Sequence, residues 1–148
     1  LWRKAKKRGF LHPTGFFYNL LYIHFAYKYG FQIPLHTQIG KGFYIGHFGT
    51  VVINRNAIIG DNCNIAHNVT IGQTNKGSRK GVPRIGNKVW IGTGSVLVGN
   101  IQIGDNVLIA PNSYVNFDVP TNSLVLGNPG QVIQKDNTVT EGYLDNLI

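Results

Sequence analysis

Aliphatic residues recur at every sixth position between Ile33 and Pro120, and no other feature of the 148-residue chain restricts its fold so strongly. Ile33, Ile39, Ile45 and Val51 form one series, and Ile53, Ile59, Ile65 and Ile71 a second. Ile85, Ile91, Leu97, Ile103, Ile109 and Val115 form a third. A glycine often follows, as in Ile39-Gly40, Ile59-Gly60 and Ile91-Gly92, and a small or branched residue comes four places on, as at Ala57, Cys63, Val69 and Ser95. A period of six belongs neither to an α-helix nor to a simple alternating strand; it is the period of a β-helix. Each hexapeptide supplies one short strand and one tight corner, and three of them, about 18 residues, close one coil of a triangular prism. Successive coils stack about 4.8 Å apart with the hydrogen bonding of parallel strands. The repeats predict roughly five coils, enough to bury a continuous aliphatic core.

Two interruptions break the register. The step from Ile45 to Ile53 is eight residues, which predicts a two-residue bulge at Val51-Val52. The step from Ile71 to Ile85 is fourteen, so the segment QTNKGSRKGVPR should leave the prism as a loop, a candidate functional element in a compact repeat. The chain then divides into a basic and aromatic helical cap (1–32), the β-helix (33–120) and a C-terminal fold-back segment with a tail (121–148). In the cap, residues 14–29 read as a helix with Thr14 as N-cap and Gly30 as its stop. The helix should close the open end of the first coil. It is too short and too polar to span a bilayer, but its aromatic, basic character also suits a foot resting on a membrane surface. The turn-rich segment 126–134 should fold back along the prism. The tail 135–148 has a weak helical pattern and is expected to be loosely ordered.

The net charge is +8, concentrated in Arg3–Arg8 and Lys76–Arg84. It favours an acidic partner, such as a nucleic acid, an anionic lipid or a phosphate-bearing cofactor; of these, nucleic acid is not the expectation. The lone Cys63 excludes an internal disulfide and occupies an inward position, so it reads as core rather than nucleophile. No nucleophile elbow, zinc-ligand spacing or nucleotide-binding glycine loop is present. The sequence starts at Leu1, not Met, and shows no secretory signal. A cytoplasmic location, peripheral to the membrane at most, is the expectation.

Counting coils gives a candidate site. Ile45, Ile65, Ile91 and Ile109 should share one face, which stacks the residues two places later, His47, His67, Thr93 and Pro111, along one corner. A corner side chain points outward, so each histidine reads equally as an exposed polar residue or as a functional one. His12, His24 and His36 read as structural or surface residues.

The repeat resembles the hexapeptide-repeat acyltransferases over about two thirds of the chain. Within that family, FYIGHFGTVVINRNAIIGDNCNIAHNVTIG is similar to the serine acetyltransferase branch. The resemblance implies a mainly β fold: a left-handed parallel β-helix of about five coils with a short N-terminal helical cap and one protruding loop. It also implies a homotrimer with sites between subunits, acetyl-CoA as acyl donor and no metal. His47 matches the general base of that branch. Acceptor-site roles fall to His67 and Gln32. The acetyl-CoA positions map to Gly72, Thr93, Pro111 and Asn116. Lys80 and Lys135, with Lys76 and Arg79, are placed to meet its phosphates, and the Gly72 amide is placed to stabilise an oxyanion. The branch of maltose and galactoside acetyltransferases is disfavoured, because its catalytic histidine lies in the protruding loop and this loop has none.

The chain departs from the serine pattern at three places. Gly46 stands where the aspartate before the base is expected, Gln32 where the imidazole-orienting aspartate is expected, and Gly81-Val82 where an Arg-His pair handles the serine carboxylate. These losses favour a sugar hydroxyl of a surface polysaccharide as the acceptor of an acetyl-CoA-dependent O-acetyltransferase. Serine O-acetyltransferase of cysteine biosynthesis is the alternative. A non-catalytic trimeric scaffold is the alternative of another class.

Overall fold

The computed structural model describes residues 1–8, 11–145 and 147–148. Two helices, α1 (Trp2–Arg8) and α2 (Pro13–Tyr29), precede the coils. The first coil is β1 (Phe31–Gln32), β2 (Gln38–Ile39) and β3 (Tyr44–Ile45); the second is β4 (Val51–Ile53), β5 (Ile58–Ile59) and β6 (Asn64–Ile65). The third is β7 (Val69–Gly72), β8 (Arg84–Ile85) and β9 (Trp90–Ile91); the fourth is β10 (Val96–Val98), β11 (Gln102–Ile103) and β12 (Leu108–Ile109). A fifth runs through β13 (Tyr114–Val115), a bridge from Ile103 to Val119, and β14 (Ser123–Leu126), after which β15 (Gln131–Gln134) turns back. Strands three apart in sequence pair in parallel, which builds three sheets: β1-β4-β7-β10-β13, β2-β5-β8-β11 and β3-β6-β9-β12-β14. The chain is a β-solenoid of about five turns.

The inward line is the one the hexapeptides predict. Ile53, Ile59, Ile65, Ile71, Ile85, Ile91, Leu97, Ile103, Ile109 and Val115 are all buried in one cluster, with Ala57, Cys63, Val69, Val89 and Val107 filling the corners between them. Each fully buried Ile or Leu contributes roughly 1.5–3 kcal/mol of apolar burial, and the stack of them holds the prism. The glycine after the aliphatic residue has a steric cause. A Cβ on Gly60 would lie 2.5 Å from Gly86 O, and one on Gly92 would lie 2.6 Å from Pro111 N. A second ladder ties one edge. Asp61 Oδ1 accepts from Lys41 N (2.6 Å), Asn87 Oδ1 from Asp61 N (2.8 Å) and Asp105 Oδ1 from Asn87 N (2.6 Å). The carboxylates of Asp61 and Asp105 are thus corner caps.

Several local expectations change. The two extra residues do not bulge at Val51-Val52, which pair in unbroken register with Val69-Thr70. They enlarge the corner between β3 and β4, the corner that carries His47. His12, not Thr14, caps α2, its Nδ1 accepting from Thr14 N at 3.3 Å, with Pro13 in the first turn. Gly30 ends the helix as expected, left-handed at φ 76°. The basic start forms α1, whose Ala5 is fully buried while Trp2 Nε1 donates to Pro34 O at 3.2 Å and Lys6 Nζ to Thr37 O at 2.7 Å. Parallel stacking continues past Pro120 to Leu126, and β14 and β15 then form an antiparallel hairpin.

The loop leaves after Gly72 and returns at Arg84, as the fourteen-residue step requires, pinched by an antiparallel bridge from Thr74 to Gly81. Arg79 anchors it to the prism through an ion pair with Asp118 at 2.8 Å and a bond to Asn100 O at 3.3 Å. The described residues of 135–148 contain no helix. They strap back along the prism: Thr140 Oγ1 donates to Asn106 Oδ1 at 2.6 Å, and Asn62 and Ile148 exchange bonds of 3.3 and 3.1 Å.

Candidate active site

Register decides which outward residues meet. Ile45 pairs with Ile65, Ile65 with Ile91, Ile91 with Ile109, and Ile109 with Val125. The residues two places later therefore follow one corner, and His47, His67, Thr93 and Pro111 are stacked along it. The corner backbone is laddered: Asn68 N bonds Thr50 O at 2.6 Å, Gly94 N bonds His67 O at 3.2 Å, and Asn112 N bonds Thr93 O at 2.8 Å. The His47 and His67 rings stand edge to face, 5.7 Å between centroids. Thr93 Oγ1 lies 3.5 Å from His67 Nδ1. Gly49 makes this possible: it adopts φ 132°, and a Cβ there would press on His67 Cβ at 3.1 Å. His47 is exposed and His67 half-buried. The enlarged corner thus lifts one imidazole into solvent above a second, better-held one.

A cavity of about 100 Å³ opens beside His47, lined by Tyr44, Gly46, Asn64, Ala66, Trp90 and Asp145 among others. Two features of it were not legible in the motifs. Asn64 is 3% exposed and its Oδ1 has no hydrogen-bond partner, while its Nδ2 reaches Tyr143 O at 3.3 Å and Asp145 Oδ2 at 3.5 Å. Asp145 brings a carboxylate from the tail to a cavity whose sequence neighbours supply none. Trp90 continues the surface into a groove of about 660 Å³ lined by Pro111, Lys135 and Tyr143, with the Trp90 and Tyr143 rings 5.2 Å apart.

The other expected residues are distributed differently. Gln32 lies exposed on β1 beside Val52 and makes no hydrogen bond to His47. Ile71, Leu97 and Val115 pair in register, so Gly72, Val98 and Asn116 form a line of their own. That line is at the far end of β7, about 10 Å along the strand from the end next to His67. The Gly72 amide is consequently not at the His47 corner of the same chain. Lys80 sits exposed on the loop near the Gly72 line, whereas Lys135 belongs with Pro111. Arg79 is occupied by Asp118, leaving Lys76 and Lys80 as the exposed loop cations. Burial pushes the Cys63 thiol up to about 11, and its Sγ faces Gly86 O at 3.1 Å, so it is a core residue and not a nucleophile.

Residues 83–116 match the family model described as bacterial transferase hexapeptide (six repeats). The chain is 44% identical over 106 residues to a serine acetyltransferase of Synechococcus elongatus, covering 72% of this chain and 43% of that one. It is 40% identical over 107 residues to a serine acetyltransferase of Helicobacter pylori, covering 72% of this chain and 63% of that one. Among solved structures, a serine O-acetyltransferase from Brucella melitensis superposes with a TM-score of 0.74 at 31% identity, over 92% of this chain and 53% of the other. The chain belongs to the hexapeptide-repeat family of β-solenoid proteins. Within that family its likeness is to the serine acetyltransferase branch, and it spans about half the length of the curated relatives it matches.

Proposed function

We propose that the chain is an acetyl-CoA-dependent O-acetyltransferase in which His47 is the general base. The observation that carries this is the enlarged corner of a serine acetyltransferase-like solenoid, with His47 exposed above His67 and beside a small cavity. Neutral His47 accepts the proton of the acceptor hydroxyl as that oxygen attacks an acyl carbonyl. His67, braced by Thr93, restricts where the His47 ring can lie. Acetyl-CoA supplies the thioester carbonyl, with free thiol as the second product. Pro111 and Lys135 in the long groove suit its arm and a phosphate, and the Gly72–Asn116 line with Lys80 suits a second portion. Because those two lines lie at opposite ends of one sheet, the reading joins them across a homotrimer interface, one subunit giving the His47 corner and its neighbour the Gly72 line.

The relatives' names favour L-serine as the acceptor over the sugar hydroxyl suggested by the missing carboxylates. The site adds support. Asp145 and the unpartnered Asn64 Oδ1 are both acceptors, and an ammonium group donates to such a pair. A sugar hydroxyl remains a second reading, carried by Gly46, by Gln32 standing away from the imidazole, and by Val82 in the loop. Thiol release from acetyl-CoA with L-serine, against a panel of sugars, separates the two. On the serine reading, Asp145→Asn raises the KM for L-serine roughly tenfold or more while kcat changes little. Turnover with sugars alone gives the second reading. No turnover and no acetyl-CoA binding would leave a scaffold.

A further inference from the structure

The first 60 residues contain eight Lys and Arg and no Asp or Glu; from Asp61 onward six cations face six carboxylates. The whole net charge of +8 therefore resides in the helical cap and the first coils. The cap spends some of that charge on structure. Arg3 donates to Gly40 O and Lys6 to Thr37 O, which pins α1 over the first coil. Lys4 and Arg8 lie 5.4 and 5.6 Å from the Tyr18 ring centroid. Lys7 and Lys28 are exposed.

Helix α2 is apolar on two faces. Gly15, Asn19, Tyr22 and Ala26 recur with helical spacing on the side turned to the molecule, where Gly15 and Asn19 are buried and Tyr22 donates to Ile33 O. Phe17, Leu20, Ile23 and Tyr27 recur with similar spacing along a second stripe, roughly a third of a turn round the helix. That second stripe is in solvent: Phe17 is 57% exposed and Tyr27 86%, and Leu11, just ahead of the helix, is fully exposed. The cations border it, because Tyr18, which meets Lys4 and Arg8, has its ring 6.0 Å from that of Phe17. Among the described residues no helix is long and apolar enough to cross a membrane.

We infer that the cap is a docking surface for an anionic lipid bilayer, with α2 lying in the headgroup plane. The Phe17–Tyr27 stripe enters the acyl boundary while the α1 cations and Lys28 meet lipid phosphates. Charge complementarity selects this occupant: the acid-free region and the apolar stripe coincide on one cap. A polyanion without an apolar phase, such as a nucleic acid, would use the cations and leave the stripe in water. A second copy seated on the same stripe would bring one acid-free cap against another.

The test is co-sedimentation of the full chain with vesicles. At about 0.1 M salt the chain binds phosphatidylcholine vesicles with about 30 mol % phosphatidylglycerol at least tenfold more tightly than phosphatidylcholine alone, and about 0.5 M salt releases it. Leu20→Ser with Ile23→Ser, and separately Lys4→Glu with Lys7→Glu, each lower binding about tenfold or more while the thermal transition of the solenoid is kept. These positions are exposed, so folding and docking separate. Equal affinity for both vesicles, insensitivity to either variant pair, or binding of duplex DNA in place of vesicles would overturn the inference. Self-association lost in the Leu20/Ile23 variant, with no vesicle binding, would assign the stripe to a second copy and overturn it as well.

Discussion

At the residue scale, the proposed function gives the chemistry to one imidazole, His47, and has its neighbours restrict it. His47→Ala is expected to lower kcat by roughly 10²–10⁴ with acetyl-CoA affinity retained, measured by steady-state thiol release and by calorimetric titration of the donor. His67→Gln keeps a polar side chain beside the base and should cost less than His47→Ala in the same assay. Cys63 gives a contrasting prediction. Its thiol is held up at about 11 by burial first, with the Asp61 and Asp105 carboxylates adding to the shift. Ellman's reagent at pH 8 should therefore react with it slowly in the folded chain and rapidly in denaturant. Fast labelling of the folded protein would place Cys63 outside the core.

At the element scale, the corner and the loop carry most of what varies. Gly60→Ala puts a methyl against backbone at Gly86, not against a side chain that can turn away. It is expected to cost about 1–3 kcal/mol, read as a lower denaturant midpoint. The loop anchor predicts a pH effect. The Arg79 guanidinium beside Asp118 holds that carboxyl below its ordinary range. A depressed folded value means that the anchor is present above the ordinary carboxylate pKa and is lost as pH falls through the folded one. Limited trypsin digestion at pH 8 should cut the loop at Lys76 or Lys80 faster in Asp118→Asn than in the parent chain. Protection of the loop amides from hydrogen exchange, relative to the intrinsic rate at each pH, should fall only below about pH 4.

The same scale shows what the sequence could reveal. The three-sheet register was legible because inward aliphatic residues meet three hexapeptides apart, 18 residues where the repeat is unbroken, as from Ile53 to Ile71 and from Ile91 to Ile109. The corner stack of His47, His67, Thr93 and Pro111 followed from that count alone. The placement of the two extra residues did not, because a gap between Ile45 and Ile53 fits a bulge in either the strand or the corner; only pairing of Val51 with Val69 decides it. The end of the fifth coil was hidden by the opposite change. Val115 to Val119 spans four residues instead of six, which breaks the series, although Val125 still pairs with Ile109. Helix α1 was masked by its charge, with only Trp2 and Ala5 marking an inner face. Asn64 and Asp145 could not be joined from sequence, since they lie 81 residues apart in the chain and the strap that carries Asp145 has no repeat.

At the scale of the whole molecule, a prism filled by an aliphatic core separates two specialised ends. The helical cap holds six of the fourteen cations, no carboxylate and the exposed apolar stripe, while the C-terminal strap closes over the sheet that leads to His47. On the proposed reading, the two lines at opposite ends of one sheet are joined by copies that meet side by side. Sedimentation equilibrium is expected to return three times the 16.4 kDa chain mass, and a monomer that turns over substrate would contradict the shared site. The account stands most directly on His47. Thiol release from acetyl-CoA should be measured for the parent chain and for His47→Ala, with L-serine and with the sugar panel. The account predicts acceptor-dependent release by the parent chain and a loss of roughly 10²–10⁴ in the variant, with an unchanged melting transition and unchanged donor binding. Equal turnover by the two proteins would remove the base from this corner and contradict the central claim.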